Sequence, residues 1–249
     1  MRLIVRVAAI AAGFLVCVPF HYLWKLVPGR SPWPQMFLGW AGWCAGLRVR
    51  TEGAPLGDHV LFVPNHVTWL DILALGGATP AIFVSRDDVE AWPLVGWAAG
   101  LNDTLYVARQ SRREVQGQAD RLRRALAAGR AVALFPEGTT EGGHEVLPFR
   151  PSLFASLFPP IDLVKVQPVA IDYSALAEEI AWAGAEPAGA NAKRVLSRKG
   201  TIPVTLRFLA PVDPHDAGDR KTLAARAQAE VVEALDASGR GAEPLYARR

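Results

Sequence analysis

A histidine and an aspartate stand in the otherwise almost wholly apolar run VPNHVTWLDIL, residues 63–73. Neutral imidazole titrates near pH 6.5 and can take a proton from an alcohol at physiological pH. An aspartate that accepts the N–H of one ring nitrogen fixes the tautomer and leaves the other nitrogen free as a general base. His66 and Asp71 are five positions apart. In a regular helix that spacing is ~140° around the axis, so they do not share a face as an i,i+4 pair does. They meet only if His66 lies just before a helix, at a strand-to-helix turn, with Asp71 pointing back from the first turns. Pro64 and Asn65 supply such a turn, because proline blocks ladder continuation and asparagine favours turns and caps. The plain alternative is a helix-capping Asp71 beside a histidine that bonds only its own loop.

A second cluster is LFPEGTTEGGHEVLPFR, residues 134–150. A buried strand ends at Phe135-Pro136, Glu137 and Gly138 turn the chain, and Thr139 and Thr140 offer hydroxyls. Backbone N–H groups in a Gly/Thr turn hold an anion, especially beside cations. An ordinary β-turn with a capping threonine is the other way to read these residues. Metal chemistry has little support: the histidines are His21, His59, His66, His144 and His215, and no pair has HExxH spacing. Cys17 and Cys44 lie in apolar surroundings without CxxC spacing, which gives neither a zinc site nor a disulfide framework and makes a reducing compartment the default.

The elements that must position these residues alternate from Arg50 onward. Residues 59–65 read as a buried strand and 68–77 as a helix closed by glycine; 81–86 is a second strand and 87–101 mainly helical. A third strand over 104–109 precedes a charged helix over 111–130. Strands over 131–137, 163–172 and 202–212 follow, and an amphipathic helix over 219–237 closes the chain. Residues 183–200, rich in Ala, Gly, Lys and Arg, read as an insertion or mobile loop. This alternation predicts an α/β fold, a twisted and mostly parallel central sheet flanked by helices. In such sheets ligands bind at the carboxyl ends of the strands, where His66 falls.

At 249 residues, 51% hydrophobic and 20% charged, the chain is long and apolar enough for a full core. The net charge of +3 is too mild for nucleic acid but suits an anionic substrate or a membrane surface. The arginines of 111–130 lack aromatic interleaving and read as a solvated or lipid-facing side, so no nucleic-acid partner is expected. Residues 7–24 carry no Asp, Glu, Lys or Arg, about the minimum length for crossing a bilayer. Arg2 and Arg6 precede them as in a signal peptide, but no small-residue cleavage site follows, so the segment reads as retained. After the turn-rich 28–34 comes a second apolar stretch, 35–47, with Trp40 and Trp43, residues suited to the membrane interface. The two form an apolar helical hairpin for membrane attachment over 1–50, ahead of a catalytic domain over 51–249. Positive charge before, within and after the hairpin leaves its topology open.

Taken together, the two clusters resemble the glycerophospholipid acyltransferases, in particular the 1-acylglycerol-3-phosphate O-acyltransferases. The resemblance covers roughly residues 50–212. Asn65-His66-Val67-Thr68-Trp69-Leu70-Asp71 matches the family's Asn-His-x4-Asp, and Phe135-Pro136-Glu137-Gly138-Thr139 its Phe-Pro-Glu-Gly-Thr. Pro168 in VKVQPVAI fits a fourth motif. A looser match, DTLYVAR, ends in Arg109 with Asp103 in place of a glycine.

The resemblance implies an acyl thioester on coenzyme A or acyl carrier protein as co-substrate, no cofactor and no metal, and a lysophospholipid acceptor, first of all 1-acyl-sn-glycerol 3-phosphate giving phosphatidic acid. His66 and Asp71 would be catalytic. Arg109, Glu137, Gly138 and Thr139 would form the acceptor pocket, with Arg150 as a second cation, and Asn65 would position either His66 or the oxyanion. Membrane lipids are then partners, and the Ala- and Arg-rich composition points to a bacterial inner membrane with the site on its cytoplasmic side. Two departures, Thr140 where the family often has Arg and Asp103 near an expected phosphate, leave lyso-ornithine lipid as the second acceptor. A hydrolase using the same dyad, and a non-catalytic membrane module, are the competing classes; against the hydrolase there is no GxSxG elbow.

Overall fold

The apolar run before His66 is buried on both sides. In a computed structural model, which describes residues 1–86, 95–107 and 112–238, the chain forms α1 (Arg2–Trp24), α2 (Trp33–Ala45), β1 (Leu47–Glu52), β2 (Val60–Pro64), α3 (Leu70–Ala78) and β3 (Ile82–Arg86). It continues with α4 (Val95–Leu101), β4 (Leu105–Val107), α5 (Arg112–Ala127), β5 (Ala131–Ala133), a 3-10 turn (Pro151–Leu157) and β6 (Lys165–Asp172). Then come α6 (Ala177–Ile180), α7 (Ala188–Ser197), β7 (Ile202–Phe208) and α8 (Arg220–Ser238).

The strands form one sheet in the order β1-β7-β6-β2-β5-β3-β4. Neighbours run parallel except β6 and β7, which are antiparallel. A mostly parallel sheet with helices on both faces must hide both faces of its central strands. β2 does so by alternation. Val60 and Phe62 pack with Leu70, Leu75 and Ile171 on the face covered by α3, whereas Leu61 and Val63 pack with Leu223, Ala227 and Val231 of α8 on the other.

All six expected strands are present, several of them shorter. β5 stops at Ala133 because the chain turns at Pro136, which has no N–H for a ladder. A seventh strand, β1, was not anticipated. Its sequence LRVRTE is exposed at most positions and carries alternating arginines, the pattern of an edge strand. Residues 183–200 are not simply a loop. They contain α7, whose Asn191 and Val195 are buried, and this face was masked by the low overall hydropathy of the segment.

α1 and α2 pack as a hairpin, turned at Gly29 (φ 109°). α1 is long and apolar enough to cross a membrane, and its most apolar stretch is unburied. Ile4, Leu15, Val16 and Leu23 on α1 and Trp40 and Trp43 on α2 are exposed. Trp40 Nε1 donates to the Ala9 carbonyl at 2.9 Å, and α2 packs on α3. Arg6 donates to the Val195, Leu196 and Gly200 carbonyls, closing the C-terminal end of α7 with a cation as the helix dipole favours. The hairpin is thus tied to the sheet domain at both ends of its length.

Candidate active site

β2 ends at Pro64, and Asn65 replaces the ladder there. Its amide donates to the Ile171 carbonyl at 3.1 Å and accepts the Ile171 N–H at 2.8 Å. With its side chain spent on β6 and 2% exposed, Asn65 braces the strand end from which His66 departs.

Asp71 sits in the first turn of α3 and is fully buried. One carboxylate oxygen, Oδ2, accepts the backbone N–H of Val67 (2.7 Å) and of Thr68 (2.9 Å) and lies 2.8 Å from His66 Nδ1. The other, Oδ1, accepts the Tyr173 hydroxyl at 2.8 Å. Asp71 does not cap α3, which has no side-chain cap; the same oxygen that meets His66 gathers two N–H groups of the loop before the helix, and those bonds hold the carboxylate where the imidazole meets it. A carboxylate offers only acceptors, so Nδ1 carries a proton, and in the neutral imidazole Nε2 is then the nitrogen with the lone pair. The His66 ring stacks on Phe135, 3.9 Å between centroids and 22° between planes, and its side chain retains 16% exposure. One face is fixed and one nitrogen is left for a substrate.

Phe135 belongs to the second cluster, which the sheet brings alongside because β2 and β5 are neighbours. The turn closes through Gly138 N–H to the Phe135 carbonyl at 3.1 Å, with Gly138 in the left-handed region at φ 71°. Glu137 points inward and is 2% exposed. Its Oε1 accepts the His66 backbone N–H at 2.7 Å and its Oε2 the Leu147 N–H at 3.1 Å. Burial pushes its carboxyl up to about 8, against the two N–H donors that favour its ionised form. Glu137 is thus a strut beneath His66.

Arg150 is exposed and lies against the turn: a Cβ placed on Gly138 would be 3.3 Å from its Cζ, and its N–H bonds the Pro136 carbonyl at 2.9 Å. Thr139 is exposed at the turn tip. Thr140 turns its hydroxyl onto the Trp182 carbonyl, while Trp182 N–H bonds the Val67 carbonyl at 3.0 Å, linking the turn to the His66 loop.

The fold therefore gathers Asn65, His66, Asp71, Glu137, Gly138, Thr139 and Arg150 at the carboxyl end of the central strands. Arg109 lies outside the described residues. Asp103 does not approach this end. It precedes β4, at the amino end of the strands, paired with Arg130 at 2.8 Å, and its φ of 54° is one that glycine adopts freely and aspartate tolerates. Sequence reasoning missed Tyr173, which is 1% exposed and lies immediately after β6. Its only signal was a hydroxyl-bearing ring at the end of an apolar strand.

A histidine–carboxylate pair at the carboxyl ends of parallel strands in an α/β sheet has the geometry of a general base. Residues 46–172 match the family described as Acyltransferase, and the chain belongs to that family: it is an O-acyltransferase. It is 35% identical to a lyso-ornithine lipid O-acyltransferase of Brucella abortus over 90% of each chain. It is 31% identical to a 1-acyl-sn-glycerol-3-phosphate acyltransferase of Neisseria gonorrhoeae over 73% of each. The crystal structure of the 1-acyl-sn-glycerophosphate (LPA) acyltransferase PlsC from Thermotoga maritima has the same fold. Its TM-score is 0.67 and its identity 19%, and the match covers 98% of this chain and 100% of that one.

Proposed function

We propose that the protein transfers an acyl group from a thioester of coenzyme A or acyl carrier protein to the free hydroxyl of a lysolipid. The observation that carries this reading is His66 with Nδ1 committed to a buried, four-times-bonded Asp71 and Nε2 left over. Nε2 takes the acceptor's hydroxyl proton as its oxygen attacks the thioester carbonyl. The tetrahedral oxyanion collapses, the C–S bond breaks, and the imidazolium returns the proton to the departing thiolate. Asp71 stabilises the imidazolium in between. The acceptor itself is the nucleophile, so no acyl-enzyme is required.

For the acceptor, lyso-ornithine lipid is the first reading. Relatives matched over nine-tenths of the chain carry that name. Among the described residues, Arg150 is the guanidinium against the Gly138 turn, with Thr140 occupied elsewhere. A guanidinium fork there binds the carboxylate of an ornithine head group through two N–H groups. 1-Acyl-sn-glycerol 3-phosphate is the second reading, supported by the Neisseria relative. Both acceptors are lipids, so the exposed apolar hairpin is read as the membrane attachment, with the site facing the cytoplasm at a bacterial inner membrane.

The deciding experiment incubates purified protein with a mixture of both lysolipids and a labelled acyl donor, on coenzyme A and on carrier protein, and identifies products by mass. Diacylated ornithine lipid is the expected product. Labelled fatty acid released equally with and without lysolipid would mean a thioester hydrolase instead.

A further inference from the structure

At the amino end of the strands, opposite His66, a cleft of about 280 Å³ lies between the hairpin turn and the starts of β3 and β5. Arg130 precedes β5 and Glu137 follows it, so roughly 20 Å of chain separates the cleft from the dyad. Three cations line it, Lys25, Arg30 and Arg130, against one carboxylate, Asp103. Arg130 spends one donor on Asp103 (2.8 Å) and Arg30 one on the Gly129 carbonyl (2.7 Å); a guanidinium has five, so both keep donors to offer. Two N–H groups of lining residues, Trp24 Nε1 and Arg130 Nε, are buried without any acceptor. α2 begins here without a side-chain cap, and Gln35 of its first turn is in the lining. Burial, and then the like charge of Arg130, pulls the Arg30 guanidinium down from its ordinary value.

We propose that this cleft binds the phosphate of an anionic membrane phospholipid, at a site separate from that of the reacting lipid. An excess of cations, an uncapped helix start and donors lacking acceptors share one need, a polyvalent oxygen anion. That the anion belongs to a lipid follows from its surroundings. Leu26 and Val27, between the lining residues Lys25 and Gly29, are 83% and 50% exposed, and Leu23 is 58% exposed. The mouth of the cleft is thus flanked by apolar side chains on the same hairpin that carries the exposed apolar face. A head group held there fixes the depth and tilt of the hairpin on an anionic leaflet.

The test is flotation of the full-length protein with phosphatidylcholine vesicles, with and without phosphatidylglycerol. The wild type should bind the anionic vesicles roughly 30-fold more tightly, which is about 1 kcal/mol for each of Lys25 and Arg30 near such a surface. Lys25→Gln/Arg30→Gln should lose this preference, and Arg2→Gln/Arg50→Gln, with two exposed cations elsewhere, should keep it. Acyl transfer to lysolipid dispersed in neutral detergent should be unchanged in both, which separates this site from the catalytic reading. If the first double variant melts early, Lys25→Gln alone makes the same comparison from an exposed position. Equal losses in the two double variants, or full retention in the first, overturn the site. Competition by millimolar inorganic phosphate against the anionic vesicles overturns the lipid assignment in favour of a free anion.

Discussion

Tyr173, at the end of β6, donates its hydroxyl to Asp71 Oδ1 at 2.8 Å across 102 residues of sequence. The ring is wholly enclosed, and burial together with the Asp71 charge holds its phenol well above the ordinary value, so it stays a donor. Asp71 thereby has both carboxylate oxygens engaged, Oδ2 by the 66–68 loop and Oδ1 by Tyr173. A carboxylate so held does not rotate away from His66.

Tyr173→Phe removes that hydroxyl and leaves a buried carboxylate oxygen short of a partner. A destabilisation of about 1–3 kcal/mol is expected. A fall in kcat of roughly tenfold follows from about 1.4 kcal/mol less support for the imidazolium, with the acceptor KM unchanged. Thermal melts and acceptor saturation curves measure the two effects. Lower stability with normal kcat would make Tyr173 a packing residue only.

His66→Ala should cut transfer by about 10²–10⁴-fold, the usual range for a positioned general base. The backbone N–H that Glu137 holds survives this substitution, so the loop should keep its place and the variant should still bind vesicles. Near-normal turnover in a folded variant would reject His66 as the base.

Glu137 makes stability fall with rising pH. Folding raises its carboxyl from an ordinary 4.5 to about 8, so the folded state binds the proton more tightly than the unfolded chain does. Its stabilisation is complete below about pH 4.5 and is lost as pH rises through 8. Glu137→Gln lacks this titration and also turns an amide N–H₂ toward one of two backbone donors. The wild type should therefore melt higher than the variant at pH 5, and the gap should close by on the order of 5 °C by pH 8.5. A gap independent of pH would show that Glu137 is ionised throughout.

Arg150→Ala should weaken acceptor binding more than chemistry. A charge-assisted hydrogen bond of about 1.5–3 kcal/mol corresponds to a rise in acceptor KM of roughly 10–100-fold with kcat nearly unchanged. An unchanged KM would remove Arg150 from the acceptor pocket.

The chemistry-bearing residues were legible in the sequence because their spacing is short-range. His66 and Asp71 five apart imply a strand-to-helix turn, and Pro136 before Glu137-Gly138 implies a strand end; both follow from local backbone geometry. The strands were legible for the same reason, as apolar runs that a two-sided sheet must bury. β1 and α7 were not, since an edge strand and a half-buried helix carry too little apolar signal to stand out.

What only the tertiary structure decided is which distant groups meet. Tyr173 reaches Asp71, Glu137 reaches the His66 backbone, and Asn65 pairs with Ile171 because β2 lies between β5 and β6. Asp103 falls at the amino end of the strands because β4 runs away from it, parallel to β3. Local propensities fix where a chain turns, but strand order is set by burying both faces of one sheet at once. That packing condition involves the whole chain, so it turned Glu137, which the motif suggests for the acceptor pocket, onto the His66 backbone, and Asn65 onto Ile171.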